Sequence, residues 1–99
     1  MFPAVYRQGR TTVAVSSLGA SPAASTWLRD RLVKEVPSRM EEILDCLAAL
    51  RPLSRERSGD QPTRRRFLRR CLDIMLQEDR PLAAEEIDPL WQEIIHQTL

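Results

Sequence analysis

The chain has 99 residues, 42% of them apolar and 29% charged, and a formal net charge of +1. That length fits one domain with a modest core, one that a partner or a second copy can complete. Three glycines and little β-branched clustering argue against an all-β fold, no apolar run approaches the ~20 residues of a membrane span, and two cysteines with a single histidine, His96, lack the spacing of a zinc site.

The small net charge hides a segregated distribution. Residues 1–26 carry +2, residues 27–50 carry −1, residues 51–70 carry +6 and residues 71–99 carry −6. Such a bipolar chain can pair its own ends, or offer a basic patch to phosphates or to an acidic protein surface. Lys34 is the only lysine. Arginine's planar fork suits carboxylate and phosphate equally, so its use does not choose between them, and a GC-rich genome produces the same bias with no functional meaning.

Residues 1–20 contain no acid. They read as an irregular N-terminal arm or tail, followed by a helical domain over 21–99. Thr11 to Val15 can make one short strand, with no evident second strand to pair with it. The acid-poor composition is shared with organelle transit peptides, so targeting stands as the alternative to a cytoplasmic chain. A first helix is predicted from Ser21 or Pro22 to about Val36, with Ser21 as cap, Pro22 at the first helical position and Pro37 as stop. Ala24, Trp27, Leu28, Leu32 and Val33 or Val36 form its apolar stripe.

Ser38 and Glu41 have capping-box spacing and open a second helix, whose Met40, Ile43, Leu44, Leu47 and Leu50 recur every three or four residues until Pro52. Leu53 to Gln61 reads as a polar hinge around Gly59. The third helix, Pro62 to Glu78, can be capped by Asp60 or Thr63. Its Leu68, Cys71, Leu72, Met75 and Leu76 share one face, with Phe67 at the edge. After Pro81, a short helix over Ala83–Ile87 is expected to break at Asp88, which caps a second one starting at Pro89. Leu90, Trp91, Ile94 and Ile95 give that last segment its buried side. The architecture predicted is all-α: a small bundle of three main helices with a short, broken C-terminal helical segment.

Cys46 and Cys71 sit in apolar helical patterns and read as buried free thiols. If helices 39–50 and 63–78 form an antiparallel hairpin, Cys46 lies opposite Phe67, about 5–6 Å along the axis from Cys71. That register does not favour a disulfide.

No convergent polar set suggests catalysis. Glu93 stands one turn before His96, a spacing that is ordinarily a solvent-facing helix pair. Glu85 and Glu86 point different ways, Ser16 and Ser17 lack a nearby base, and no glycine-rich phosphate loop is present. No catalytic residue, metal or cofactor is therefore expected. Arg64, Arg65 and Arg66 span most of a turn, Arg69 and Arg70 lie one turn on, and Arg51, Arg55 and Arg57 add charge before them. Arginine at a helix N-terminus opposes the dipole, so local stability does not explain this placement. A solvated face, or pairing with the acidic last segment (Glu85, Glu86, Asp88, Glu93), is the alternative. Trp27 and Trp91, each beside a leucine, read as core residues, any surplus forming a groove or dimer seam.

The stretch FLRRCLDIMLQEDRPLAAEEIDPLWQEI resembles the opening two helices of winged-helix DNA-binding regulators. The matching residues are Leu72 to Leu76, the turn Asp79-Arg80-Pro81-Leu82, and Ala84-Glu85-Glu86-Ile87. This resemblance implies nucleic-acid binding through Arg64–Arg70. The residues themselves point first to a non-catalytic protein–protein interaction module, a small regulator, adapter or assembly factor. It would dock by an apolar helix face, with Arg55, Arg57, Arg64, Arg65, Arg66, Arg69 and Arg70 steering an acidic partner and Trp27 and Trp91 as anchors. A homo-oligomer is a further possibility, nucleic acid the second choice, and no membrane is involved.

Overall fold

The structure, a computed structural model, describes residues 3–98. Its contacts divide it into two compact units, one reaching to Glu41 and one beginning at Glu42. The boundary thus falls well after residue 20, and the first predicted helix belongs with the N-terminal residues.

The first unit overturns the all-α expectation. Strands β1 (Ala4–Gln8) and β2 (Thr11–Val15) form an antiparallel hairpin in which Ala4 faces Val15 and Gln8 faces Thr11. Gly9 and Arg10 make the two-residue turn, with Gly9 at φ 54 in the left-handed region that glycine adopts without strain. Ala4, Tyr6, Thr11, Val13 and Val15 are half-buried while Val5, Thr12 and Ala14 are exposed, the alternation of a sheet with one covered face. Residues 4–15 are therefore an ordered hairpin rather than an irregular arm.

Helix α1 (Pro22–Val33) packs against both strands. It opens as its sequence predicts: the Ser21 hydroxyl accepts the Ala24 amide at 3.0 Å, and proline occupies the first turn. Its buried side matches the predicted stripe only at Val33 and Val36. Ser25 is 5% exposed, and Arg29, Val33 and Val36 are half-buried, whereas Trp27, Leu28 and Leu32 are 59%, 43% and 49% exposed. The small Ser25 side chain lies close to the loop after β2, its hydroxyl 3.0 Å from that of Ser17. Arg29 Nη1 donates to the Val5 carbonyl at 3.4 Å, so a polar stripe faces the hairpin.

The second unit holds α2 (Met40–Arg57), α3 (Gln61–Glu78), a 3-10 turn (Ala84–Glu86) and α4 (Ile87–Thr98). Helix α2 runs through Pro52, and the hinge expected over 53–61 shrinks to Ser58–Asp60. Pro52 removes one amide donor and crowds the preceding turn. Leu50 before it and Ser54 after it are 2% and 1% exposed, so burial on both sides holds the turn helical. The Ser54 hydroxyl also donates to the Arg51 carbonyl at 2.7 Å.

Asp60 caps α3, accepting the Thr63 amide at 3.1 Å, and Asp79 ends it in the left-handed region at φ 49. The final segment is less broken than predicted. Asp88 and Pro89 lie inside the first turn of α4, where a missing proline donor removes no helical hydrogen bond. The core of this unit is Ile43, Leu50, Phe67, Cys71, Met75, Trp91 and Ile94, each at most 3% exposed. Phe67 and Trp91 stack with centroids 4.2 Å apart and planes 11° from parallel. Among the described residues, no helix is long and apolar enough to cross a membrane.

Candidate functional site

The two tryptophans named from sequence have opposite environments. Trp91 is 1% exposed and belongs to the core of the second unit. Trp27 is 59% exposed on α1, with the Arg31 guanidinium 5.2 Å from its ring centroid. Together with Leu28 and Leu32, one and five residues on, it makes an apolar stripe that the fold leaves uncovered. Leu28 and Leu32 were predicted to lie in the core. The 3–4 residue spacing that suggested so is real, but the hairpin takes the opposite side of the helix.

The arginines of the second unit sort by their partners. Arg57 pairs with Asp88. Arg69 meets Asp73 at 3.0 Å one turn on, and Arg70 reaches Glu93 at 3.2 Å. Arg64 is half-buried and donates from Nη1 to the Ser58 carbonyl at 2.9 Å, bracing the turn between α2 and α3. Arg66 is exposed. Arg51, Arg55 and Arg65 are exposed and have no ionic partner among the described residues. Two of the seven predicted steering arginines thus spend their charge on the last helix, as the segregated charge allowed, and one on its own helix. Exposed pairs of this kind contribute only about 0–1 kcal/mol each.

Two carboxylates are held below their usual range by local donors. The Thr63 hydroxyl lowers Asp60 most, followed by the Thr63 amide, with smaller help from the charges of Arg66 and Arg64. Glu86 is lowered to about 2, chiefly by hydrogen bonds from Arg80 and then by the Ala83 amide. The Arg80 fork reaches both Glu86 oxygens, at 2.7 and 3.1 Å, and also donates to the Pro81 carbonyl at 3.1 Å. This clasp fastens the segment joining α3 to α4, and no sequence pattern announced it beyond the acidic run. Glu93 is turned to Arg70, and His96 is exposed. Among the described residues no three His, Cys, Asp or Glu side chains converge as a metal site.

Over 73 residues, 74% of this chain, the sequence is 36% identical to a siroheme synthase from Methylococcus capsulatus, and the match makes up 15% of that protein. The chain therefore spans a small fraction of the length of the curated relative it matches, which is named as an enzyme. Wherever a stretch of that length falls within the 99 residues, it contains 27–73: Trp27, all of α2 and the arginine-bearing turns of α3. No family model matches the chain, and no solved structure matches it. The resemblance to winged-helix regulators thus gains no support from these comparisons.

Proposed function

We propose that this chain is a non-catalytic protein–protein docking module, acting in siroheme synthesis by assembly rather than by chemistry. The observation that carries this reading is the stripe of Trp27, Leu28 and Leu32 on α1. A helix that packs through Ser25 and Arg29 and presents its tryptophan outward has its apolar face available for a partner. The exposed arginines Arg51, Arg55 and Arg65 favour a partner with an acidic surface and steer its approach. The similarity to a siroheme synthase supports the setting, because the matched stretch includes Trp27, α2 and the arginine-bearing turns of α3.

Free Cys46 and Cys71 fit a reducing compartment, so the cytoplasm is the proposed location. The test is a pull-down with the tagged full chain from its native host, half of the lysate treated with nuclease. A stoichiometric protein partner is expected to survive nuclease and to be lost in the Trp27→Ser, Leu32→Ser variant. Capture that vanishes with nuclease and is insensitive to Trp27→Ser would replace docking with nucleic-acid binding through the arginines.

A further inference from the structure

The loop that carries β2 into α1 holds an exposed leucine in a conformation that leucine resists. The Ala20 amide donates to the Ser17 carbonyl at 3.1 Å, closing a turn with Leu18 at φ 53 and Gly19 at φ 85. Positive φ at both central positions is the pattern of a type I′ turn, which ordinarily takes Gly, Asn or Asp there. A leucine in this region brings its Cβ against the following carbonyl. The same side chain is 87% exposed, more than Trp27, Leu28 or Leu32. Strain and exposure thus fall on one residue, and burial offsets neither. The turn is nevertheless held fixed. Ser16 Oγ accepts the Leu18 amide at 3.2 Å, and Ser17 Oγ accepts the Ser21 amide at 3.1 Å while donating to the Ser21 carbonyl at 3.0 Å. The buried Ser25 hydroxyl donates to Ser17 Oγ at 3.0 Å, which ties the turn to α1. Ser16, Gly19 and Ala20 beside Leu18 are small and exposed, so the leucine stands above its surroundings.

We propose that Leu18 is a rigid anchor that inserts into an apolar pocket on the protein partner, the rim of that pocket being lined by carboxylates. This rests on the docking reading above and adds to it a second contact, outside the α1 stripe. Backbone strain persists only where the surroundings over-determine it, and it gathers at binding clamps and switch regions. A side chain preset by its turn also loses little freedom when a partner closes on it. One apolar knob among small neighbours fits a socket rather than a flat face, because the pocket walls can close onto Ser16, Gly19 and Ala20 while Leu18 fills the centre. Charge sets the rim. Residues 1–26 carry Arg7 and Arg10 and no acid, so carboxylates around the socket are attracted and meet no like charge from this stretch. A lipid surface would need a broader apolar face and a larger basic cluster than one leucine and these arginines supply.

The experiment compares the tagged full chain with Leu18→Asn, Leu18→Met and the Trp27→Ser, Leu32→Ser variant in the nuclease-treated pull-down, each beside its amide-exchange profile. Asn tolerates the left-handed region but cannot fill an apolar pocket. Leu18→Asn should therefore slow exchange in β1, β2 and α1 by about 2–5-fold and yet weaken partner binding by about tenfold or more. Leu18→Met keeps an apolar side chain of similar size and should retain binding. A photoreactive p-benzoylphenylalanine in place of Leu18 should crosslink to apolar residues of the partner with Asp or Glu around them, read by mass spectrometry. Undiminished capture by Leu18→Asn, or faster exchange in that variant, would overturn the proposal. So would a crosslink joining two copies of this chain, or flotation of the wild-type chain with phosphatidylglycerol vesicles that Leu18→Asn abolishes. Wild-type protein that captures nothing would remove the docking reading and this one together. Loss of capture in Trp27→Ser, Leu32→Ser with full capture by Leu18→Asn would remove this one alone.

Discussion

The two units of this chain bury their side chains by opposite means. In the second, α2, α3 and α4 enclose seven apolar residues, with Phe67 and Trp91 stacked among them. In the first, the only described residue that is fully buried is a serine, Ser25, held by Ser17 and by the Ser21 carbonyl. A two-stranded hairpin is marginal alone and depends on the helix packed against it. That helix gives the hairpin its polar side and keeps Trp27, Leu28 and Leu32 outward. The contrast separates a part of the molecule organised around its own core from a part that leaves large apolar side chains exposed.

The sharpest way to break this comparison is to truncate one aromatic residue in each unit. Phe67→Ala should cost about 3–5 kcal/mol and loosen α3 and α4 together, read by urea denaturation and amide exchange. Trp27→Ala should change stability by no more than about 0.5 kcal/mol while abolishing partner capture. A comparable loss of stability from both would mean that the α1 stripe is core after all.

Within the first unit, Gly9→Val should cost about 1–3 kcal/mol, because the turn needs φ 54 and a β-branched residue resists it. Faster exchange confined to the hairpin and α1 amides, with α3 unchanged, would show that the two units open separately. Ser21→Ala, which removes the α1 cap, should cost about 1 kcal/mol with the same regional signature.

Acid offers a test in the second unit. Glu86 and Asp60 both have folded-state values depressed below their ordinary ones, so their contribution is fully present above the unfolded carboxylate range. It is lost as pH falls, through about 2 for Glu86. Carboxyl NMR titration should place Glu86 near that value, and Glu86→Gln should flatten the acid limb of the stability curve. An ordinary Glu86 titration would mean that the Arg80 clasp is not formed in solution. The smallest effect belongs to the exposed ion pairs: Arg70→Ala should change stability by about 0–1 kcal/mol, less in high salt.

Much of the helical skeleton was legible in the chain itself. Ser21-Pro22 and Asp60 announced two helix starts, because a capping side chain satisfies amides that the first turn leaves free. The periodicity of Ile43, Leu50, Cys71 and Met75 marked a core that the structure places there. Strand β1 was hidden because its alternation is carried by Ala4 and Tyr6 alone, with few β-branched residues, and the Gly9-Arg10 turn is a weak hairpin signal. Pro52 misled in the other direction, since a local breaker yields when both flanking turns are buried.

What the sequence determined by itself is local: caps, turns, the three-to-four spacing of apolar residues and the separation of charge along the chain. Which side of α1 meets the hairpin, whether Pro52 ends a helix, and which arginines are spent on Asp88 and Glu93 were decided only by the tertiary structure. Each of these depends on a neighbour distant in the chain, and periodicity states that a helix has an apolar face without stating what will cover it. For α1 that distinction carries the proposed function, because Trp27, Leu28 and Leu32 stay exposed.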